Sequence, residues 1–229
     1  MMSCSSGPDY DPQDLSSYPI HKTSHGYLIG DGEASTAIIF YPGGLVTLES
    51  YLPLMAEIYR ETGCQIFLAK MPLNLAVFNK NAAAKIMKEN SSISSWILCG
   101  HSLGGVMAAA WAQENPGKWE ALILLASYPD SKKPLNSGKV LSVYASEDGL
   151  STPEEIKESE KSLPADTVFL EIAGGNHAQF GSYGKQNKDG KALISPERQR
   201  QMTVEGIAKF LLENSLILPD IGDETVPSP

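Results

Sequence analysis

Short apolar runs alternate with amphipathic stretches along this 229-residue chain, and that alternation constrains the fold more than any other feature. The runs at Thr36–Tyr41, Gln65–Ala69, 96–99, 121–126, 140–144 and Val168–Ile172 are largely apolar without strict alternation. That pattern suits parallel strands covered on both faces. A further strand at 26–30 is expected at the sheet edge. Between the runs, Tyr51, Met55, Ile58 and Tyr59 mark one helix face. Leu103, Val106, Met107, Ala110 and Trp111 mark a second, stopped by Asn115-Pro116-Gly117. Thr152-Pro153-Glu154-Glu155 reads as a capping box with proline at the first helical position. Ser195-Pro196 opens a last helix, with Val204, Ile207, Ala208, Leu211 and Leu212 on its buried side. The alternation predicts right-handed βαβ units and an α/β fold: a mostly parallel central sheet with helices on both faces. One domain over residues 25–217 is expected, after an N-terminal arm at 1–24 and before an acidic, proline-containing tail at 218–229.

Composition narrows the function classes. Eighteen Lys and Arg against 27 Asp and Glu leave a net charge of −9, so no basic surplus exists to bind nucleic acid through phosphates. The longest apolar run, 106–112, is seven residues; a membrane helix needs about 20. Three cysteines without a Cys-x-x-Cys or Cys/His cluster give no zinc-site pattern. The N-terminus lacks the basic and apolar regions of a signal peptide, which points to a reducing, cytoplasmic compartment.

In an open sheet of this kind, ligands bind beyond the carboxyl ends of the strands. Four segments just past predicted strands carry chemistry. Gly100-His101-Ser102-Leu103-Gly104-Gly105 joins the 96–99 strand to the next helix and fits a G-x-S-x-G nucleophile elbow. The tight turn lifts the Ser102 hydroxyl to a helix N-terminus, where developing negative charge is favoured. Tyr41-Pro42-Gly43-Gly44-Leu45 can supply a backbone N–H to an oxyanion, paired with the N–H of Leu103; Gly44 is the preferred donor and Leu45 its competitor. In Ala145-Ser146-Glu147-Asp148-Gly149 a carboxylate can orient a histidine; Asp148, just before the turn glycine, is preferred over Glu147. Gly174-Gly175-Asn176-His177 offers the base. Of four histidines, His21 and His25 lie near the N-terminus, and His101 is expected to point away from Ser102. His177 is therefore the candidate to take the serine proton. The chain order Ser102, Asp148, His177 is the one associated with α/β-hydrolases.

These segments, with Lys70-Met71-Pro72-Leu73-Asn74-Leu75-Ala76-Val77-Phe78, Ala126-Ser127-Tyr128-Pro129 and Gly174-Gly175-Asn176-His177-Ala178-Gln179-Phe180-Gly181, give the chain a resemblance to the α/β-hydrolase superfamily. Within it, the chain resembles the small, lidless, family-5-like hydrolases akin to dienelactone hydrolase, over about residues 26–212. The resemblance implies Ser102 as nucleophile, Asp148 as acid, His177 as base, and neither metal nor cofactor. Two departures stand out. Dienelactone hydrolases carry cysteine at the elbow where this chain has Ser102, which favours ordinary esters over lactones. Tyr41-Pro42 also replaces the common His-Gly start of the oxyanion loop.

Only residues 128–137 separate two predicted strands where many relatives insert a lid, so an open, shallow cleft is expected. Asn74, Phe78, Gln179 and Tyr183 lie in loops that could line it, and the 183–195 loop either borders the site or is solvated. The expected activity is that of a serine carboxylesterase on a small or short-chain ester. Two alternatives remain open at this point: the same triad acting on an amide, thioester or lactone, and a non-catalytic ligand-binding relative.

Overall fold

The structure, a computed structural model, describes residues 7–32 and 34–218. Eight strands form one sheet: β1 (Ile20–Thr23), β2 (Gly26–Ile29), β3 (Thr36–Tyr41), β4 (Gln65–Ala69), β5 (Ser95–His101), β6 (Ala121–Leu125), β7 (Lys139–Ala145) and β8 (Val168–Ile172). Their spatial order is β1-β2-β4-β3-β5-β6-β7-β8. The strands from β3 to β8 pair in parallel. β1 and β2 form an antiparallel hairpin, and β2 pairs antiparallel with β4. The crossovers include α1 (Leu52–Thr62), α2 (Ala82–Glu89), α3 (Leu103–Glu114) and α4 (Pro153–Ser159), and α5 (Pro196–Glu213) follows β8.

The side-chain period of two divides the sheet into two cores. Ile38 and Phe40 of β3 point to one face, where Met55 and Ile58 of α1 and Ile207 and Leu211 of α5 cover them. Ala37, Ile39 and Tyr41 point to the other, under Ala83 and Ile86 of α2 and Ala108 and Trp111 of α3. All five residues of β6 are buried, which is why its sequence reads as an unbroken apolar run. Fully burying one such aliphatic side chain contributes about 1.5–3 kcal/mol, so the two layers fix the register of the strand ends.

The structure departs from the sequence reading in three places. The segment at 26–30 is not the edge of the sheet, because β1 lies outside β2. The boundary drawn at residue 24 therefore cuts through a hairpin, and Tyr10, Leu15, Tyr18 and Ile20 of the arm pack against the core. Helix α2 was not expected; it buries two alanines and Ile86, a face too small to give a period. Of the acidic tail only Leu218 is described; 219–229 lie outside the described residues. The 128–137 segment contains no helix or strand, and no helix among the described residues is long and apolar enough to cross a membrane.

Candidate active site

The elbow is built by close backbone approach. A Cβ on Gly100 would lie 2.6 Å from the Gly105 nitrogen, and one on Gly104 would lie 2.1 Å from the Tyr41 carbonyl oxygen. Side chains are excluded at both positions, so β5 can turn directly into α3. Ser102 takes the strain of that turn with φ 52° and ψ −126°. For a residue with a Cβ such a conformation costs about 1–3 kcal/mol, and it persists only where the surroundings enforce it. They do so through the end of β6. The Ser102 N–H donates to the Leu125 carbonyl at 3.0 Å, and the Ser127 hydroxyl donates to the Ser102 carbonyl at 2.8 Å.

The loop after β3 leaves one amide free. The Gly43 N–H donates to the Tyr51 hydroxyl at 3.0 Å, and the Leu45 N–H donates to the Asn74 carbonyl at 2.8 Å. Between them, the Gly44 N–H has no acceptor among the described residues. The Leu103 N–H is one of the unpaired donors at the start of α3. Gly44 and Leu103 face each other closely, since a Cβ on Gly44 would lie 3.1 Å from a Leu103 methyl carbon. Of the two loop donors weighed from sequence, Leu45 is already committed elsewhere.

Asp148 and His177 leave the ends of β7 and β8 and meet. The His177 Nδ1 lies 2.8 Å from Asp148 Oδ2. The other carboxylate oxygen, Oδ1, accepts the N–H groups of Leu150 and Ser151, each at 2.7 Å. With an ionised carboxylate as acceptor, His177 Nδ1 is the donor of this bond, and in the neutral ring Nε2 is then the acceptor nitrogen. His177 is 1% exposed, and among the described residues its Nε2 has no hydrogen-bond partner, the Ser102 hydroxyl included. Glu147 is turned aside and accepts from the Ser146 hydroxyl at 3.0 Å.

Behind this pair lies a buried network that the sequence did not disclose. The His101 ring is buried against His177 and Tyr51. It sits 4.6 Å, centroid to centroid, from the His177 ring, with its Nδ1 2.8 Å from the Tyr51 hydroxyl. Burial, and then the neighbouring His177, hold the His101 pKa well below its ordinary value of 6.5. The unfolded chain therefore binds a proton below about pH 6.5 that folded His101 refuses, and stability falls as the pH falls, by up to about 1.4 kcal/mol per pH unit for this group. Calorimetric melting from about pH 7 to about pH 5 is expected to show a smaller loss in His101→Asn than in the unsubstituted protein. An equal or larger loss in the variant contradicts this account. Gln199 of α5, fully buried, clamps the Asn176 peptide: its Nε2 donates to the Asn176 carbonyl at 2.7 Å and its Oε1 accepts the Asn176 N–H at 2.9 Å.

The residues expected to line the cleft separate. Asn74 meets the loop after β3 through its carbonyl, and Phe78 is 59% exposed. Leu45, Leu73 and Val77 are exposed on the same two loops. Tyr183 is withdrawn into the core, 6.3 Å from the Tyr51 ring, and its hydroxyl donates to Gln186 at 2.9 Å. The Gln179 amide donates to the Ile194 carbonyl at 3.2 Å. Gln179 instead borders a cavity of about 950 Å³ on the far side of the His177 loop, walled by the arm, α1 and α5, which includes none of Ser102, Gly44 or Leu103.

The same fold occurs in solved structures of low sequence identity. Est1E from Butyrivibrio proteoclasticus, solved with ferulic acid bound, is 16% identical with a TM-score of 0.64, covering 87% of this chain and 99% of its own. The monoacylglycerol lipase of Paleococcus ferrophilus is 14% identical with a TM-score of 0.62, covering 83% and 99%. MGS-MChE2, an alpha/beta hydrolase enzyme from a sediment metagenome of the Mar Chica lagoon, Morocco, is 16% identical with a TM-score of 0.61, covering 82% and 98%. No curated protein sequence matches the chain significantly. The family model described as "Alpha/beta hydrolase family" (Abhydrolase_5) matches residues 37–201, most of the chain, and the protein belongs to that family.

Proposed function

We propose that the protein is a serine hydrolase of carboxylic esters with small or short-chain groups. One observation carries the reading: Ser102 is held at a strained elbow on the same sheet edge as the buried His177–Asp148 pair. In the proposed reaction the Ser102 oxygen attacks the ester carbonyl while His177 Nε2 takes its proton. The N–H groups of Gly44 and Leu103 stabilise the resulting oxyanion. His177 then gives the proton to the departing alcohol, leaving an acyl-serine. Water, activated by the same nitrogen, releases the acid and restores Ser102. Asp148 fixes the ring and stabilises its cationic form.

The size preference rests on the surroundings of Ser102. We read the exposed Leu45, next to the Gly44 donor, and the exposed Leu73, next to the Asn74 that Leu45 bonds, as an open apolar border rather than an enclosed chain tunnel. A methylene that stays in contact with water contributes little of the roughly 0.8 kcal/mol of full burial. Among p-nitrophenyl esters, kcat/KM is expected to rise between acetate and butyrate and to gain less than about threefold from butyrate to decanoate. A continued rise of about fourfold per added methylene indicates an enclosed acyl site and contradicts the size preference. No turnover of any ester contradicts the esterase reading itself.

A further inference from the structure

The loop between Tyr183 and Ser195 is exposed at many positions yet tied to the body of the protein, and one carboxylate makes most of the ties. Asp189 Oδ1 accepts the N–H groups of Gly149 at 3.2 Å, of His177 at 3.2 Å and of Gly190 at 2.8 Å. Its Oδ2 accepts the Ala178 N–H at 2.8 Å. These donors come from both halves of the acid–base pair. Gly149 follows Asp148 directly, and His177 and Ala178 open a short 3-10 turn whose first N–H groups have no partner within the turn. The loop is tied down a second time, since Asn176 Nδ2 donates to the Gly190 carbonyl at 2.8 Å.

We propose that Asp189 is a positioning residue for catalysis, holding the Asp148 turn and the His177 turn at the separation that their 2.8 Å side-chain bond requires. The inference rests on the hydrolase reading for its effect on rate, but its geometric content is independent of turnover. Backbone N–H donors to a carboxylate are charge-assisted and strong. Their loss leaves three donors of two different loops without an acceptor, so the imidazole is free to shift against Asp148 and Ser102. A misplacement of about 1 Å at reacting groups costs about 100-fold in rate.

The test compares Asp189→Ala with Asp189→Asn. The asparagine carbonyl can keep the Oδ1 bonds to Gly149, His177 and Gly190, while its amide group cannot accept from Ala178. Expected for Asp189→Ala is a fall of about 100-fold in kcat with KM within about threefold, and for Asp189→Asn a smaller fall of about 10-fold. Proton NMR of the resting protein supplies a readout that needs no substrate. The downfield resonance of the His177 Nδ1 proton shared with Asp148 is expected to broaden or shift in Asp189→Ala and to persist in Asp189→Asn. Should Asp189→Ala fail to fold, kcat of Asp189→Asn decides: an unchanged value overturns the proposal. It is equally overturned if the folded alanine variant keeps the wild-type resonance, whatever its melting temperature. If the native protein hydrolyses no ester, the hydrolase reading fails while the resonance still decides the role of Asp189.

Discussion

Ser102→Ala is expected to lower p-nitrophenyl ester hydrolysis by roughly 10⁵- to 10⁶-fold while the fold is retained. The substitution removes one oxygen from a half-buried position and leaves the N–H and carbonyl bonds to Leu125 and Ser127 in place. Alanine is no worse than serine at φ 52°, so the elbow strain is unchanged. Melting temperature is therefore expected within a few degrees of the unsubstituted protein, which separates lost chemistry from lost structure. A residual rate is expected from the proposed Gly44 and Leu103 donors, which would polarise a bound carbonyl for water attack without a nucleophile. Activity within tenfold of wild type in the folded variant assigns the reaction to another group.

Asp148→Asn is expected to lower kcat by about 10⁴-fold with little change in KM. The asparagine oxygen can take over the Oδ1 bonds to the Leu150 and Ser151 N–H groups, so the turn is kept. Its amide nitrogen then faces His177 Nδ1 and donates to it. The imidazole is driven to the tautomer with its proton on Nε2, the nitrogen that has to accept the serine proton. The loss is expected to lessen at alkaline pH, where hydroxide can replace the base, whereas the loss from Ser102→Ala is not relieved in the same way. Measuring kcat across pH for both variants distinguishes a base in the wrong protonation state from a missing nucleophile.

What the sequence disclosed and what it hid follow from how local each determinant is. β5, the elbow and α3 were legible because glycine spacing, strand run and helix period sit within about twenty contiguous residues. β6 was legible because burial on both faces leaves only apolar choices. β1 was hidden because a strand that is exposed at three of four positions, Ile20-His21-Lys22-Thr23, carries no apolar signal. The strand-end rule pointed to Ser102, Asp148 and His177, of which the structure joins the last two. It preferred Gly44 to Leu45 without sight of what occupies Leu45, a bond to Asn74, 29 residues away along the chain. Tyr183 was misplaced for a similar reason, since its burial depends on Tyr51 and Gln186 rather than on its own loop. Asp189 gave no signal at all: an Asp-Gly pair in a polar loop is an ordinary turn until the N–H groups of Gly149, His177 and Ala178 converge on it.

A fluorophosphonate probe followed by mass spectrometry of the proteolytic fragments tests the serine mechanism most directly. Attack by an activated serine oxygen displaces fluoride and leaves a stable phosphonyl ester on that residue alone. The adduct is expected on the peptide bearing Ser102, at one equivalent per chain, and is expected to be absent from Ser102→Ala. A folded native protein that acquires no adduct, or acquires it elsewhere, contradicts the reading of this site.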